Sequence, residues 1–226
     1  MIKSIAKIAR PRSVSELVLK RLRQDIVDNR FALGEKLSEV QLSERYGVTK
    51  APIRSAYIRL EGEGLIDIRP QYGTFVFRPT GDELRALCEL RAALEVEAVG
   101  LALDRDPNGL ANDIHRILIE MHEALKVRAR EVYQALDTEF HLCIIRRANS
   151  PLLEQAYHSQ VNSRFAALRF RFSKMESHNA NSMAEHEALQ KTIVNRDRAG
   201  ASALLRAHIA YTERYYSAIA ASPQST

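Results

Sequence analysis

Asp137 and His141 stand four residues apart in the run LDTEFHLCII, a spacing that puts both on one face of a helix. His186, in MAEHEALQKTI, and His208, in LLRAHIAYTERYY, follow on two later helical runs. One carboxylate and three imidazoles from three helices can converge on a divalent metal ion. Taken singly, each histidine also has a plainer reading as a hydrogen-bonded or surface side chain. That plainer reading is the one given to His115, His122, His158 and His178. An enzyme is the competing class. HEALQ begins like the HExxH helix of a zinc protease, but Gln190 stands where the second histidine is required. A metal-dependent hydrolase would also have no obvious general base once four ligands are committed. The sequence holds no glycine-rich phosphate loop, nucleophile elbow or redox cysteine pair.

The elements that must position these residues are helical. From Asp82 onward the pattern predicts six helices, at about 82–104, 109–127, 129–147, 151–175, 180–196 and 198–220, and no strand. Turn and capping clusters separate them: Asp104 to Gly109, Asn149-Ser-Pro and Asn195-Arg-Asp. Residues 222–226 read as a frayed tail. At 226 residues and 46% hydrophobic composition, the chain can fill two modest cores. It has no apolar run long enough for a membrane span. The basic start MIKSIAKIARPRS lacks the continuous apolar stretch of a signal peptide, so a cytoplasmic protein is expected. Cys88 and Cys143 fit buried thiols rather than a disulfide framework.

The first third of the chain has a different character. In KLSEVQLSERYGVTKAPIRSAYIRLEGEGLIDI, Ser38 is a predicted N-cap for a helix over Val40 to Tyr46, and Gly47 breaks it. Thr49 is the predicted cap of a second helix running to Gly62, with Pro52 in its tolerant first turn. Ile53, Ala56, Tyr57 and Leu60 form its inner face, leaving Lys50 and Arg54 outside. A basic pair near the start of a second helix is the arrangement that enters a DNA major groove. LIDIRPQYGTFVF then reads as a hairpin, a wing whose tip brings Tyr72 and Gly73 toward the minor groove. An amphipathic helix over 13–28 should complete this domain, with Lys20, Arg21 and Arg23 outside. The expected fold class is mainly α: a winged helix-turn-helix at 1–78, a linker at 79–82, and an antiparallel all-α bundle at 83–221.

Charge supports the division. Residues 1–78 hold 15 Lys and Arg against 9 Asp and Glu, a balance of +6, while the remainder holds 18 against 19. A basic excess confined to the winged-helix half is what a phosphate-facing surface needs.

The runs GVTKAPIRSAYIRLEGEGLI and YGTFV resemble the winged helix of the GntR family of bacterial transcription regulators. Asp137, His141, His186 and His208, with FHLCIIRRANSPLLEQ and EHEALQKTIVNRDRAGASALLRAHI, resemble that family's all-helical FCD effector domain. Six helices suit the shorter, vanillate-regulator-like group. The resemblance implies a ligand-responsive regulator, a repressor by expectation, that binds operator DNA through Thr49, Lys50, Arg54, Tyr72 and Gly73. It further implies one divalent ion on the quartet of one aspartate and three histidines, and a small organic acid completing its shell. Zinc, nickel, manganese and iron all suit that donor set. Arg91 is the first candidate for a cation beside the acid, followed by Arg164 and Arg169, although Arg91 can equally pair with Glu95. A pure metal sensor is the neighbouring alternative. A two-fold dimer is expected, because one half-site carries too little specificity for a genome. The sequence departs from the family at Leu33-Gly34, where Pro-Gly is usual, and at Val40, where a basic residue is usual. Lys50 replaces an arginine, trading a forked donor for a point charge, and Ser55 replaces an acidic residue.

Overall fold

The computed structural model describes residues 13–172 and 175–221. The expectations for the basic start and the frayed tail fall on residues outside that range. The chain divides into two compact units, one of residues 13–26 and 30–77, the other of 27–29 and 78–221.

In the first unit, α1 (Val14–Val27) buries Val18, Leu19, Leu22 and Ile26 along one stripe. Asp25, also buried, accepts a 2.9 Å hydrogen bond from the Tyr46 hydroxyl and pairs with Arg21 and Arg30. This ties α1 to α2 (Glu39–Tyr46). The Ser38 hydroxyl caps α2 by accepting from the Gln41 amide, and Gly47 ends it in the left-handed region at φ 64°. In α3 (Lys50–Gly62), Ile53, Ala56, Tyr57 and Leu60 are buried, as their spacing predicts. Thr49 occupies the cap position in extended backbone, but its side chain makes no capping bond. Arg23, expected to face outward, instead donates two hydrogen bonds to Glu63 at 2.7 and 2.6 Å, binding α1 to the end of α3.

The wing has three strands, one more than the hairpin read from sequence. β1 (Lys36–Leu37), β2 (Ile66–Arg69) and β3 (Gly73–Val76) form an antiparallel sheet in the order β1-β3-β2, with Lys36 opposite Phe75 and Arg69 opposite Gly73. At the tip, Tyr72 donates its amide to the Arg69 carbonyl, and Gln71 takes φ 67°. Proline followed by a residue of positive φ is the signature of a type II turn.

The second unit begins with α4 (Gly81–Arg105), fixed by a reciprocal capping box between Thr80 and Glu83. α5 (Pro107–Lys126), α6 (Arg130–Arg147), α9 (Glu176–Val194) and α10 (Arg198–Ala221) complete the frame. α4 packs on α6 and α10, α5 on α6 and α9, and α9 on α10. Phe140, Ile144, Ile114, Ile117, Val99, Leu205 and Ile209 fill the interior. α9 starts four residues earlier than its sequence pattern suggests.

The stretch read as one helix over 151–175 is interrupted. α7 (Pro151–Tyr157) passes into a π-turn at His158–Asn162 and resumes as α8 (Ser163–Phe172); residues 173–174 lie outside the described range. The reason lies in the spacing of the inner face. Tyr157, Val161, Phe165 and Arg169 are all buried and four apart. In a regular α-helix a four-residue step overshoots one turn by about 40°, so three steps drift by about 120°. One wider turn takes up most of that drift and keeps all four facing inward.

Candidate metal centre and DNA-reading surface

α6 brings Asp137 and His141 inward, α9 brings His186, and α10 brings His208. All four are nearly inaccessible. One ring nitrogen from each of the three histidines lies within 4.8 Å of the others. Asp137 Oδ1 is 3.3 Å from His141 Nε2 and 4.0 Å from His186 Nε2.

Neighbouring carboxylates orient two of the rings. His141 Nδ1 donates to Glu95 Oε2 at 2.8 Å, and His208 Nδ1 donates to Glu185 Oε2 at 2.7 Å. Committing the Nδ1 proton turns the Nε2 lone pair of His141 toward the cluster, as in carboxylate–histidine–metal arrangements. Glu95 is itself fully engaged. Its Oε1 accepts from Arg91 Nε at 2.6 Å and from the Tyr157 hydroxyl at 2.8 Å. His186 has no such partner and stacks on Phe140 at 4.1 Å between ring centroids. Asp137 Oδ2 pairs with Arg169 Nε at 3.0 Å, leaving Oδ1 for the cluster.

The electrostatics favour metal-ready protonation states. Burial, followed by the neighbouring His208, pushes His186 well below the ordinary imidazole range. Burial, followed by His141, does the same to His208. Burial alone would raise the Asp137 carboxyl, but Arg169 and the adjacent imidazoles hold it well below the usual range. A neutral His186 and His208 beside an ionised Asp137 suit a divalent ion. Four buried ligand atoms also lack a hydrogen-bond partner: Asp137 Oδ1, His141 Nε2 and both nitrogens of His186. Unsatisfied buried polar atoms are rare in folded proteins. Three of them, Asp137 Oδ1, His141 Nε2 and one nitrogen of His186, can face a single cation held by this quartet.

The effector-arginine expectations divide. Arg91 does pair with Glu95, and its guanidinium lies 4.3 Å over the Phe165 ring, yet its Nη2 is buried without a partner. Arg169 is committed to Asp137 and to the Thr138 hydroxyl at 2.7 Å, so it holds the Asp137 carboxylate beside the histidines. Arg164 turns back on the Gln160 carbonyl of its own segment. Among the other histidines, His115 pairs with Gln190, His122 with Glu187 and His158 with Glu154, all at exposed positions. Gln190 thus serves a surface contact, and no zinc-protease pair forms. His178 departs from the plain reading: it is buried and stacks flat on Tyr215 at 3.8 Å. The orienting residues Glu95, Glu185 and Tyr157 escaped sequence reasoning, since each meets its partner across 23 to 62 positions. Only the Arg91–Glu95 spacing hinted at any of them.

On the first unit, Lys50 and Arg54 are exposed on the outer face of α3. Arg54 Nε is held by both oxygens of Glu39 at 2.9 and 3.0 Å, which leaves its two Nη groups as the outward fork. Tyr72 is 73% exposed at the wing tip, beside Gly73 at φ 119°. A Cβ at Gly73 would stand 2.7 Å from Lys36 Cε, so the lysine lies directly across the tip. Lys36 and Arg69 flank the Phe75 ring at 5.8 and 4.8 Å, two wing cations that the sequence reading passed over. Val40, where a base was expected, is an exposed apolar side chain.

A winged helix in one unit, and in the all-helical second unit a buried cluster of one aspartate and three histidines, define a regulator of the DNA-binding, sensing type. Comparison with known proteins makes this specific. Residues 14–76 match the model of bacterial regulatory proteins of the gntR family, and residues 86–211 match the FCD domain. The chain belongs to the GntR family of transcription regulators and carries an FCD domain. It is 30% identical over 184 residues to the Nta operon transcriptional regulator of Aminobacter aminovorans, covering 81% of this chain and 85% of that one. It is 30% identical over 139 residues to the HTH-type transcriptional repressor RspR of Escherichia coli (strain K12). That match covers 62% of this chain and only 61% of RspR. A solved GntR regulator from Rhodococcus sp. RHA1 superimposes with a TM-score of 0.79, covering 92% of this chain and 99% of that one. At 20% identity, that likeness concerns the fold alone. No helix among the described residues is long and apolar enough to cross a membrane.

Proposed function

We propose that this protein is an operator-binding repressor whose DNA affinity responds to a small carboxylate bound at a divalent metal ion in the helical unit. Asp137, His141, His186 and His208 would hold one ion per chain, with zinc, nickel, manganese or iron suited to the donors. The observation that carries the reading is the set of buried, unpartnered ligand atoms on three residues, Asp137, His141 and His186, beside His208. When bound, the ion supplies a net positive centre with open positions, for which an anion is the natural extra ligand. Arg91 Nη2, buried and unpartnered, offers a charged donor to the same anion. An acid acts as a signal only if it binds two arrangements of the bundle with different affinity.

The test pairs two measurements on purified protein: metal content by elemental analysis, and operator affinity with and without candidate acids. A metal-free wild type with a full acid response would refute the metal role. A response to chelator but to no acid would leave a pure metal sensor.

The DNA contacts are assigned to Lys50 and Arg54 in the major groove, with Thr49 beside them and Tyr72-Gly73 at the wing. Arg54→Ala should cost on the order of 1–3 kcal/mol at the specific site. Competition with random DNA checks this, since equal losses on both would make Arg54 only a phosphate contact. The active form is a homodimer on a pseudo-palindromic operator. Sedimentation should show two chains per operator, and a monomer at micromolar concentration with one chain per operator would exclude the dimer.

A further inference from the structure

The unpartnered buried atoms of the helical unit do not all belong to the metal. One atom each on Asp137, His141 and His186 is accounted for by an ion. Two further side chains stand out: Arg91, through Nη2, and His178, through Nδ1. They stand in different places. Arg91 sits on the metal side, bonded to the same Glu95 that orients His141. His178 sits eight residues before His186 on α9, about 12 Å along the helix. Its stacking partner Tyr215 stands seven residues beyond His208 on α10, about 10 Å along. The two measures agree on a second polar position two helical turns from the metal cluster.

The surroundings of His178 are polar as well as buried. Asn179 and Ser182 on α9 and Tyr133 on α6 are all nearly inaccessible. The Tyr133 hydroxyl donates to the Asn179 carbonyl at 3.0 Å. His178 is flanked by aromatic rings, with Tyr211 and Tyr216 beyond the Tyr215 stack. A stacked imidazole is held in one orientation, so its bare Nδ1 is fixed rather than free to seek a partner. A fixed, desolvated nitrogen lacking a hydrogen bond is costly unless something supplies one.

We infer that the effector is two-ended: an organic acid whose first carboxylate meets the metal and Arg91, and whose far end carries an oxygen that hydrogen-bonds His178 Nδ1. This rests on the acid-responsive reading above and narrows it. Of the roughly 10–12 Å between the two positions, about 2 Å is a metal–oxygen bond and about 3 Å a hydrogen bond. What remains suits a chain of roughly five or six carbons. The far oxygen can be a carboxylate, accepting from Nδ1–H, or a hydroxyl, which can donate or accept whichever tautomer is present.

Titration calorimetry on metal-loaded, full-length protein tests this with three series of three to eight carbons: monocarboxylates, ω-hydroxy acids and α,ω-dicarboxylates. Wild type should bind a two-ended acid about tenfold more tightly than the monocarboxylate of equal length, with the advantage greatest near five or six carbons. His178→Phe keeps a ring on Tyr215 and should erase that advantage while leaving monocarboxylate affinity unchanged. An unchanged melting temperature in the ligand-free, metal-loaded variant shows that the stack survives, and His178→Gln, which restores a hydrogen-bonding group, should recover part of the advantage. The relative affinity of the hydroxy and dicarboxylate series identifies the far group. Equal affinity for one- and two-ended acids, or a preference that survives in His178→Phe, would overturn the inference while leaving the acid-responsive reading intact. Failure of every acid to bind metal-loaded wild type would overturn that reading, and this inference with it.

Discussion

Stripping metal from the loaded protein should lower its melting temperature by roughly 8–16 °C, and in His186→Ala added metal should no longer raise it. The size follows from linkage. An ion present at a thousand times its dissociation constant, and bound only by the folded state, stabilises by about 4 kcal/mol. A chain of this size shifts by about 2–4 °C per kcal/mol. The proposed ligands lie on α6, α9 and α10, so release of an ion held there would unpin three helices at once. Calorimetric melts with and without chelator, beside elemental analysis, provide the check. The same melting temperature in both states of the wild type would mean that the cluster holds no structural ion. Operator binding by His186→Ala should persist, because the winged helix has its own core.

The second large effect is expected at Arg91. Arg91→Met keeps bulk over Phe165 but leaves the Glu95 carboxylate buried without its guanidinium. Losing one partner of a fully buried ion pair costs about 3–5 kcal/mol, against about 0–1 kcal/mol for an exposed pair such as Arg116–Glu120. The pH dependence has a definite sign. In the wild type, burial would raise the Glu95 carboxyl, but Arg91 and then His141 outweigh it and hold the group well below the usual range. Its contribution is therefore full at neutral pH and is lost progressively as the pH falls below the ordinary carboxylate range toward the depressed folded value. In Arg91→Met, burial loses its main opponent and the folded pKa rises, so acidification favours the folded variant relative to its neutral-pH state. Urea melts at pH 7 and pH 5 should show the gap between variant and wild type narrowing at the lower pH. A constant gap would mean that Glu95 is not the stranded charge. Arg91→Met/Glu95→Gln should recover part of the loss.

Local chemistry made the winged helix legible. Ser38, Gly47 and Pro52 act within a turn of where they stand, and the inner face of α3 repeats with the helical period. β1 was missed because two residues cannot display a period of two. The quartet could be named because Asp137 and His141 share a helix face, His186 and His208 follow on two later helical runs, and the resemblance set these four apart from the other histidines. Its support was less accessible. Glu95 showed itself only as a partner for Arg91, and nothing near His141 announces a carboxylate 46 residues away. Arg169 was named only as a cation for the acid, and its bond to Asp137 depends on how α8 is rotated. His178 was set aside as ordinary because burial and stacking on α10 are tertiary facts.

The π-turn at His158–Asn162 bears on how this chain should be compared with its relatives. A widened turn of this kind is equivalent to one residue inserted into a regular helix. A relative with one residue fewer between Tyr157 and Phe165 could run the segment as plain α-helix and still present the counterparts of Tyr157 and Arg169 to the interior. A single-residue gap in that stretch would then mark a change in helical winding with the sensing site preserved. Forcing the two sequences into gapless register would pair Arg169 with an outward-facing position and make a retained residue look lost.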